Sequence, residues 1–120
     1  MNMDQVPQVV AEVEPFPKQA AAIWDDRERE EFIDFIARHS GAGEEIPGTG
    51  GLRKVRWSRK GMGKRGGARV VYFYYNTSAP IFLLAVYAKA QQEDLLPREK
   101  AALRKVTAAI KANLKGRQRR

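Results

Sequence analysis

Eight cationic side chains and no acidic one lie between Arg53 and Arg69, within the stretch IPGTGGLRKVRWSRKGMGKRGGARVVYFYY that runs from Ile46 to Tyr75. Clustered Arg and Lys are the side chains that hold phosphate oxygens, and the planar fork of Arg can grip two of them at once. The same stretch is rich in glycine, which lets another backbone approach closely. Its two ends, LRKVRW and ARVVYFYY, have the β-branched and aromatic composition of strands. Residues 58–67 between them read as a Gly/Lys/Arg loop. The pattern predicts a basic hairpin suited to a polyanion.

Other chemistries fit the residues poorly. There is no cysteine and one histidine, His39, which excludes disulfide and thiolate chemistry and leaves no cage for a metal. His39 falls at the end of an expected helix, where a surface or helix-end contact is its plain role. Gly61-Met62-Gly63-Lys64-Arg65-Gly66 matches G-x-G-x-x-G, but a dinucleotide site needs a helix to follow and a strand is expected here. Arg65 stands where a P-loop needs Ser or Thr. The longest apolar run, Ala79 to Ala88, is too short to span a membrane, and the first residues lack signal-peptide order. A reducing cytoplasm suits such a chain.

The net charge of +8 is unevenly placed: residues 1–48 carry eleven acids against four bases, and residues 49–120 carry eighteen bases against three acids. The basic part can hold phosphates, while the acidic part has charge balance as its plain role.

The elements that must position the cations follow from period and punctuation. A chain of 120 residues is one domain. Residues 8–14 alternate as a first strand. Pro17 opens a short helix, KQAAAIW. Asp25 and Glu28 form a capping-box pattern for a second helix in which Phe32, Ile33 and Ile36 face inward, ended by Gly41 and Gly43. After the loop Pro47–Gly51, a strand over Leu52–Trp57 puts Val55 and Trp57 on the core face with Arg53, and Lys54 and Arg56 together on the other. Ala68 to Tyr75 is the next strand. Ile81 to Tyr87, almost continuously apolar, is a central one. Pro97 opens a last helix with the stripe Leu103, Val106, Ile110 and Leu114, and residues 111–120 form a basic, frayed tail. The whole is an α+β domain: a meander antiparallel sheet with its helices on one face.

The order of elements and the segments GTGGLRKVRW, GKRGGARVVYFYY, FLLAVYAK and EDLLPRE resemble the RelE/HigB toxins of bacterial type II toxin–antitoxin modules, over nearly the whole chain. The resemblance implies a RelE-like fold and a ribosome-dependent endoribonuclease, an mRNA interferase that cuts mRNA in the A site. Attack is by the ribose 2′-OH on its neighbouring phosphate, with no metal and no cofactor. It implies as partners a cognate antitoxin, typically a helix-turn-helix DNA-binding protein in the HigB branch, and the 70S ribosome with its mRNA. The family's functional cations match Lys54, Arg56, Arg69 and Lys89. Where a well-studied branch has a tyrosine beyond the last of these, this sequence has Leu95.

Preorganised Arg and Lys stabilise the extra negative charge of a pentacoordinate phosphorane. Like charges disfavour a protonated lysine, so Lys54, between Arg53 and Arg56, and Lys89 are candidate general bases. Arg53, Lys60, Lys64 and Arg65 are candidate RNA contacts, and Tyr72, Tyr74 or Tyr87 is a candidate platform for a stacked base. Each cation has a solvated surface charge as its plain alternative, and half of the strand aromatics belong to the core whatever the function. Two other functions use the same face: a non-catalytic nucleic-acid-binding module, and a gyrase-inhibiting toxin of the related ParE type. The Lys54/Arg56/Arg69/Lys89 set favours RNA over gyrase.

Overall fold

A computed structural model describes residues 7–59 and 63–118, and within them all side chains except those of 58, 59, 63–66, 117 and 118. The elements are β1 (Val10–Glu12), α1 (Phe16–Ile23), α2 (Asp26–Arg38), β2 (Glu44–Glu45), β3 (Leu52–Arg59), β4 (Gly63–Phe73), β5 (Ile81–Ala88) and α3 (Pro97–Gln118). They build a five-stranded sheet in the order β1-β5-β4-β3-β2. β3, β4 and β5 form the expected antiparallel meander, and β1 lies parallel to β5. No helix among the described residues is long and apolar enough to cross a membrane.

Local chemistry sets the helix starts. The Asp25 carboxylate accepts the Glu28 N–H at 2.8 Å, and the Glu28 carboxylate accepts the Asp25 N–H at 3.1 Å, so α2 begins with two of its free donors satisfied. α1 begins at Phe16, one residue before the expected Pro17. The loop before β3 needs glycine at Gly48 and Gly50, with φ of 74° and 78°.

Both faces of the central strands are buried, and this divides the helices. α1 and α2 place Phe16, Trp24, Phe32 and Ile36 against Val55, Val70, Tyr72 and Leu83. The Phe32 ring lies 5.3 Å from Trp24 and 5.4 Å from Trp57. α3 lies on the opposite face, where Leu103, Val106 and Ile110 cover Leu52, Val71, Phe73 and Leu84. The expectation of helices on one face is therefore corrected. β4 is apolar at both parities, so its second face also demands cover, and the stripe on α3 supplies it.

Two boundaries also differ. The Gly/Lys/Arg segment is mostly strand: β3 continues to Arg59 and β4 starts at Gly63, with Arg59 paired to Gly63 after an irregularity past Trp57. Strand pairing overrides the low intrinsic preference of glycine there. α3 runs to Gln118, so most of the expected frayed tail is helical.

Candidate phosphate-binding site

Strand register assembles the site. Arg56 of β3 lies directly across from Arg69 of β4, and Arg69 lies directly across from Tyr87 of β5. Residues opposite one another share a face, with Cβ atoms about 5 Å apart. One row along, Lys54 pairs with Val71; one row further, Leu52 pairs with Phe73 under α3. The face thus runs from an apolar half, covered by α3, to a cationic half that α3 leaves open. Lys89 directly follows β5, and its N–H donates to the Gly67 carbonyl at 3.1 Å, which sets it at the same end of the sheet.

Arg69 is in an unfavourable place for a charge. It is 7% exposed. Its one hydrogen bond among the described residues is a long 3.4 Å contact to the Ala68 carbonyl, and none of the described carboxylates ion-pairs with it. Burial first, and then the charge of Arg56, pull its pKa below the usual arginine value, with Tyr87 opposing. A guanidinium remains charged at any physiological pH, so Arg69 carries a desolvated charge that no ion pair among the described residues offsets. Like charges set directly across a strand pair destabilise a sheet, and Arg56 and Arg69 do so here.

Lys54 is paired instead. Its ammonium lies 3.3 Å from Asp94 Oδ1, and Lys100 lies 3.9 Å from Asp94 Oδ2. The Leu95 N–H bond holds the Asp94 carboxyl below the usual carboxylate range, helped by Lys54 and Lys100 and opposed by partial burial. Asp94 sits in the β5–α3 connection, and the sequence reading missed it. Its only signal there was to be one of the three acids beyond residue 48. Lys54 thus has an anionic partner that its cationic neighbours in sequence did not suggest.

The other expected contacts scatter. Arg53 faces the opposite side and donates to the Gly43 carbonyl at 2.8 Å. Tyr72 is fully buried under α1 and α2; its hydroxyl donates to the Ser40 carbonyl at 2.7 Å and accepts the Gly43 N–H at 2.8 Å. It is a core residue and presents no ring to a base. Tyr74 packs at the edge of the same cluster, away from the cationic row. Of the three tyrosines only Tyr87 is on the site, and it too is 7% exposed, which leaves no open ring face for stacking. Lys60 lies outside the described residues, as do the side chains of Lys64 and Arg65, whose backbone belongs to β4. Leu95 is buried beneath α3 with Leu103 and Phe73. His39 caps the end of α2, with its ring 5.0 Å from Phe35, and no metal-binding group of His, Cys, Asp and Glu occurs among the described residues.

A concavity of about 1020 Å³ lies elsewhere, between residues 7–9, the end of α2 and the β4–β5 turn. It contains none of the four expected catalytic cations. The cationic row lies on a strand face outside that concavity, with Arg56 exposed and Arg69 buried, and an extended chain of phosphates can follow such a row.

Residues 40–118 match the family described as the RelE toxin of the RelE/RelB toxin–antitoxin system. The chain belongs to the RelE toxin family. The matched span includes β2 to β5 and α3, and with them Lys54, Arg56, Arg69, Tyr87, Lys89 and Asp94. Among solved structures, a doubly substituted form of the E. coli toxin RelE in the free state is similar: 17% identical, TM-score 0.50, with 73% of this chain and 90% of that chain covered. That likeness is one of fold. This RelE-family chain is thus a small α+β toxin of the toxin–antitoxin class.

Proposed function

We propose that the chain is a ribosome-dependent mRNA endoribonuclease whose substrate phosphate binds the Arg56–Arg69 row. The observation that carries this reading is Arg69: a buried guanidinium, facing a second arginine, with no counter-anion among the described residues. An RNA phosphate relieves that repulsion by placing negative charge between the two guanidinium groups. In the reaction, the ribose 2′-oxygen bonds to the adjacent phosphorus and the 5′-oxygen leaves, giving a 2′,3′-cyclic phosphate and a 5′-hydroxyl end. Charge grows on the non-bridging oxygens in the transition state, where fixed cations stabilise it more than they stabilise the ground state. Lys54, anchored by Asp94, and Lys89, at the β5 end, add positive charge on either side.

A row of cations on a strand face leaves alignment of the 2′-OH to the ribosomal A site, which holds the mRNA; such positioning is worth about 7–11 kcal/mol. An enzyme of this kind requires restraint by a cognate antitoxin, in this reading a helix-turn-helix DNA-binding protein, in the host cytoplasm. Primer extension on mRNA from cells expressing the chain tests the proposal. Wild type is expected to give ribosome-dependent cuts within codons, Arg69→Ala to reduce them by about 10²–10³-fold, and Arg69→Lys to recover little, since a point charge lacks the bidentate fork. Full toxicity of a folded Arg69→Ala protein removes the site. Inhibited supercoiling without mRNA cuts replaces the reading with gyrase inhibition, and RNA binding without cuts replaces it with a non-catalytic binder.

A further inference from the structure

Tyr87 stands one residue before the end of β5, directly across from Arg69. Its ring belongs to the cluster beneath α3, and its hydroxyl is buried with no well-formed hydrogen bond among the described residues. Buried phenols ordinarily find a partner. The Asp94 carboxylate opposes loss of the Tyr87 proton by its charge and, to a lesser degree, by a side-chain hydrogen-bond interaction, but the hydroxyl completes no well-formed hydrogen bond among the described residues. That carboxylate is already engaged: Oδ1 accepts from Leu95 N–H at 2.8 Å and from Lys54 at 3.3 Å, and Oδ2 faces Lys100. Among the described residues, a donor held only weakly, by a carboxylate already engaged elsewhere, therefore lies beside an arginine with no counter-anion.

We propose that the Tyr87 hydroxyl donates a hydrogen bond to a non-bridging oxygen of the phosphate held by Arg69; this rests on the functional reading above and names a further residue of that site. The environment keeps the donor neutral. Burial, then the charge of Asp94, push the Tyr87 pKa up to about 12, with Arg69 opposing and Glu99 and the lesser hydrogen-bond interaction with Asp94 adding. At neutral pH the proton is retained and remains available. A neutral donor adds no charge to the repulsion between Arg56 and Arg69, and its bond strengthens as the phosphate oxygens gain charge. The role differs from base stacking, which needs an accessible ring face and no hydroxyl.

Tyr87→Phe separates these roles, because it removes the hydroxyl and keeps the ring. The test uses the full chain and three measurements: thermal unfolding, binding of inorganic phosphate and of a short single-stranded RNA, and single-turnover cleavage of mRNA on ribosomes. Tyr87→Phe is expected to keep or raise the melting temperature, since a buried hydroxyl without a well-formed hydrogen bond is lost. It is expected to weaken phosphate and RNA binding about tenfold, and to slow cleavage by about 10–100-fold. Wild-type binding and cleavage in Tyr87→Phe overturn the inference, as does a lowered melting temperature with unchanged binding, the mark of a structural hydroxyl. If Arg69→Ala weakens phosphate binding and Tyr87→Phe does not, this inference fails and the functional reading stands. If both weaken phosphate binding while wild type leaves ribosomal mRNA uncut, the phosphate contact stands and the cleavage reading fails.

Discussion

The two faces of the sheet are built from the same strands and solve different problems. Under α1 and α2 every inward side chain of β4 and β5 meets an aromatic or aliphatic partner, and the Tyr72 hydroxyl has both a donor and an acceptor; the Trp24 indole N–H, buried in the same layer with no hydrogen-bond partner among the described residues, is the exception. Under α3 the cover stops part-way. Leu52 and Phe73 are sealed, and along the same strands Lys54, Arg56, Arg69 and Tyr87 follow with an excess of positive charge and, among the described residues, a hydroxyl with no well-formed hydrogen bond. Among the described residues each face holds one unsatisfied buried donor, but only the second also tolerates like charges set against each other, a pattern expected where a ligand completes the structure.

Substitution on each face should therefore act on a different observable. The largest stability effect belongs to the first face. Phe32 is fully buried between two tryptophan rings, and Phe32→Ala is expected to cost about 3–5 kcal/mol in chemical denaturation, through lost burial and the cavity left behind. Arg69→Ala is the counterpart: a large loss of activity with unchanged or slightly raised stability, since it removes a buried charge beside another. If Arg69→Ala unfolds the protein as Phe32→Ala does, the contrast between the faces is wrong.

The two tyrosines sharpen the comparison further. Tyr72→Phe removes a hydroxyl that makes two good hydrogen bonds and leaves the Gly43 N–H and the Ser40 carbonyl unsatisfied. It is expected to cost about 1–3 kcal/mol in stability, with cleavage by the folded protein unchanged. Equal stability of Tyr72→Phe and wild type would show that water replaces those bonds at no cost. High pH separates the pair as well. The Tyr87 proton is held to about 12, above the usual value near 10. Its contribution to stability is thus whole below about pH 10 and is lost as pH rises toward 12; alkaline unfolding of Tyr87→Phe should lack that component.

What the sequence shows and hides follows the range of the interactions. The α2 cap was legible because Asp25 and Glu28 satisfy each other three residues apart. The α3 stripe and the buried run of β5 were legible because period reports burial. The alternation in β3 correctly set Lys54 and Arg56 opposite Val55 and Trp57. Parity alone leaves open which face of β4 lies beside the cations, so Tyr72 and Tyr74 stand as candidate platforms in the sequence, whereas the register puts Val71 and Phe73 on the Arg69 side. Two-residue β2 has no pattern to read, since its Glu44–Glu45 pairing with β3 is purely tertiary. Asp94 was invisible for a similar reason: it meets Lys54 across forty residues of sequence, and only the return of α3 over the sheet brings them together.

That ion pair gives the smallest predicted effect. Lys54 and Asp94 are both substantially solvated, with side chains 33% and 52% exposed, so the pair is worth about 0–1 kcal/mol at most. Asp94→Asn keeps an oxygen for the Leu95 N–H and removes the charge. Stability at neutral pH should change by no more than about 0.5 kcal/mol. The pH dependence has a definite sign. Because the folded carboxyl titrates below its usual value near 3.9, its contribution is whole above that pH and is lost as pH falls through the folded value. Wild type and Asp94→Asn should therefore converge in stability under acid conditions. On the binding side, Asp94 is the carboxylate that ion-pairs with Lys54 among the described residues, and a phosphate must compete with it for that ammonium. Asp94→Asn should then bind RNA slightly tighter, by about 2–3-fold, and with a steeper salt dependence as one more cation is free to release a counterion. Weaker RNA binding by Asp94→Asn would reverse the assignment: the carboxylate would be holding Lys54 in its binding position, and not competing with the phosphate for it.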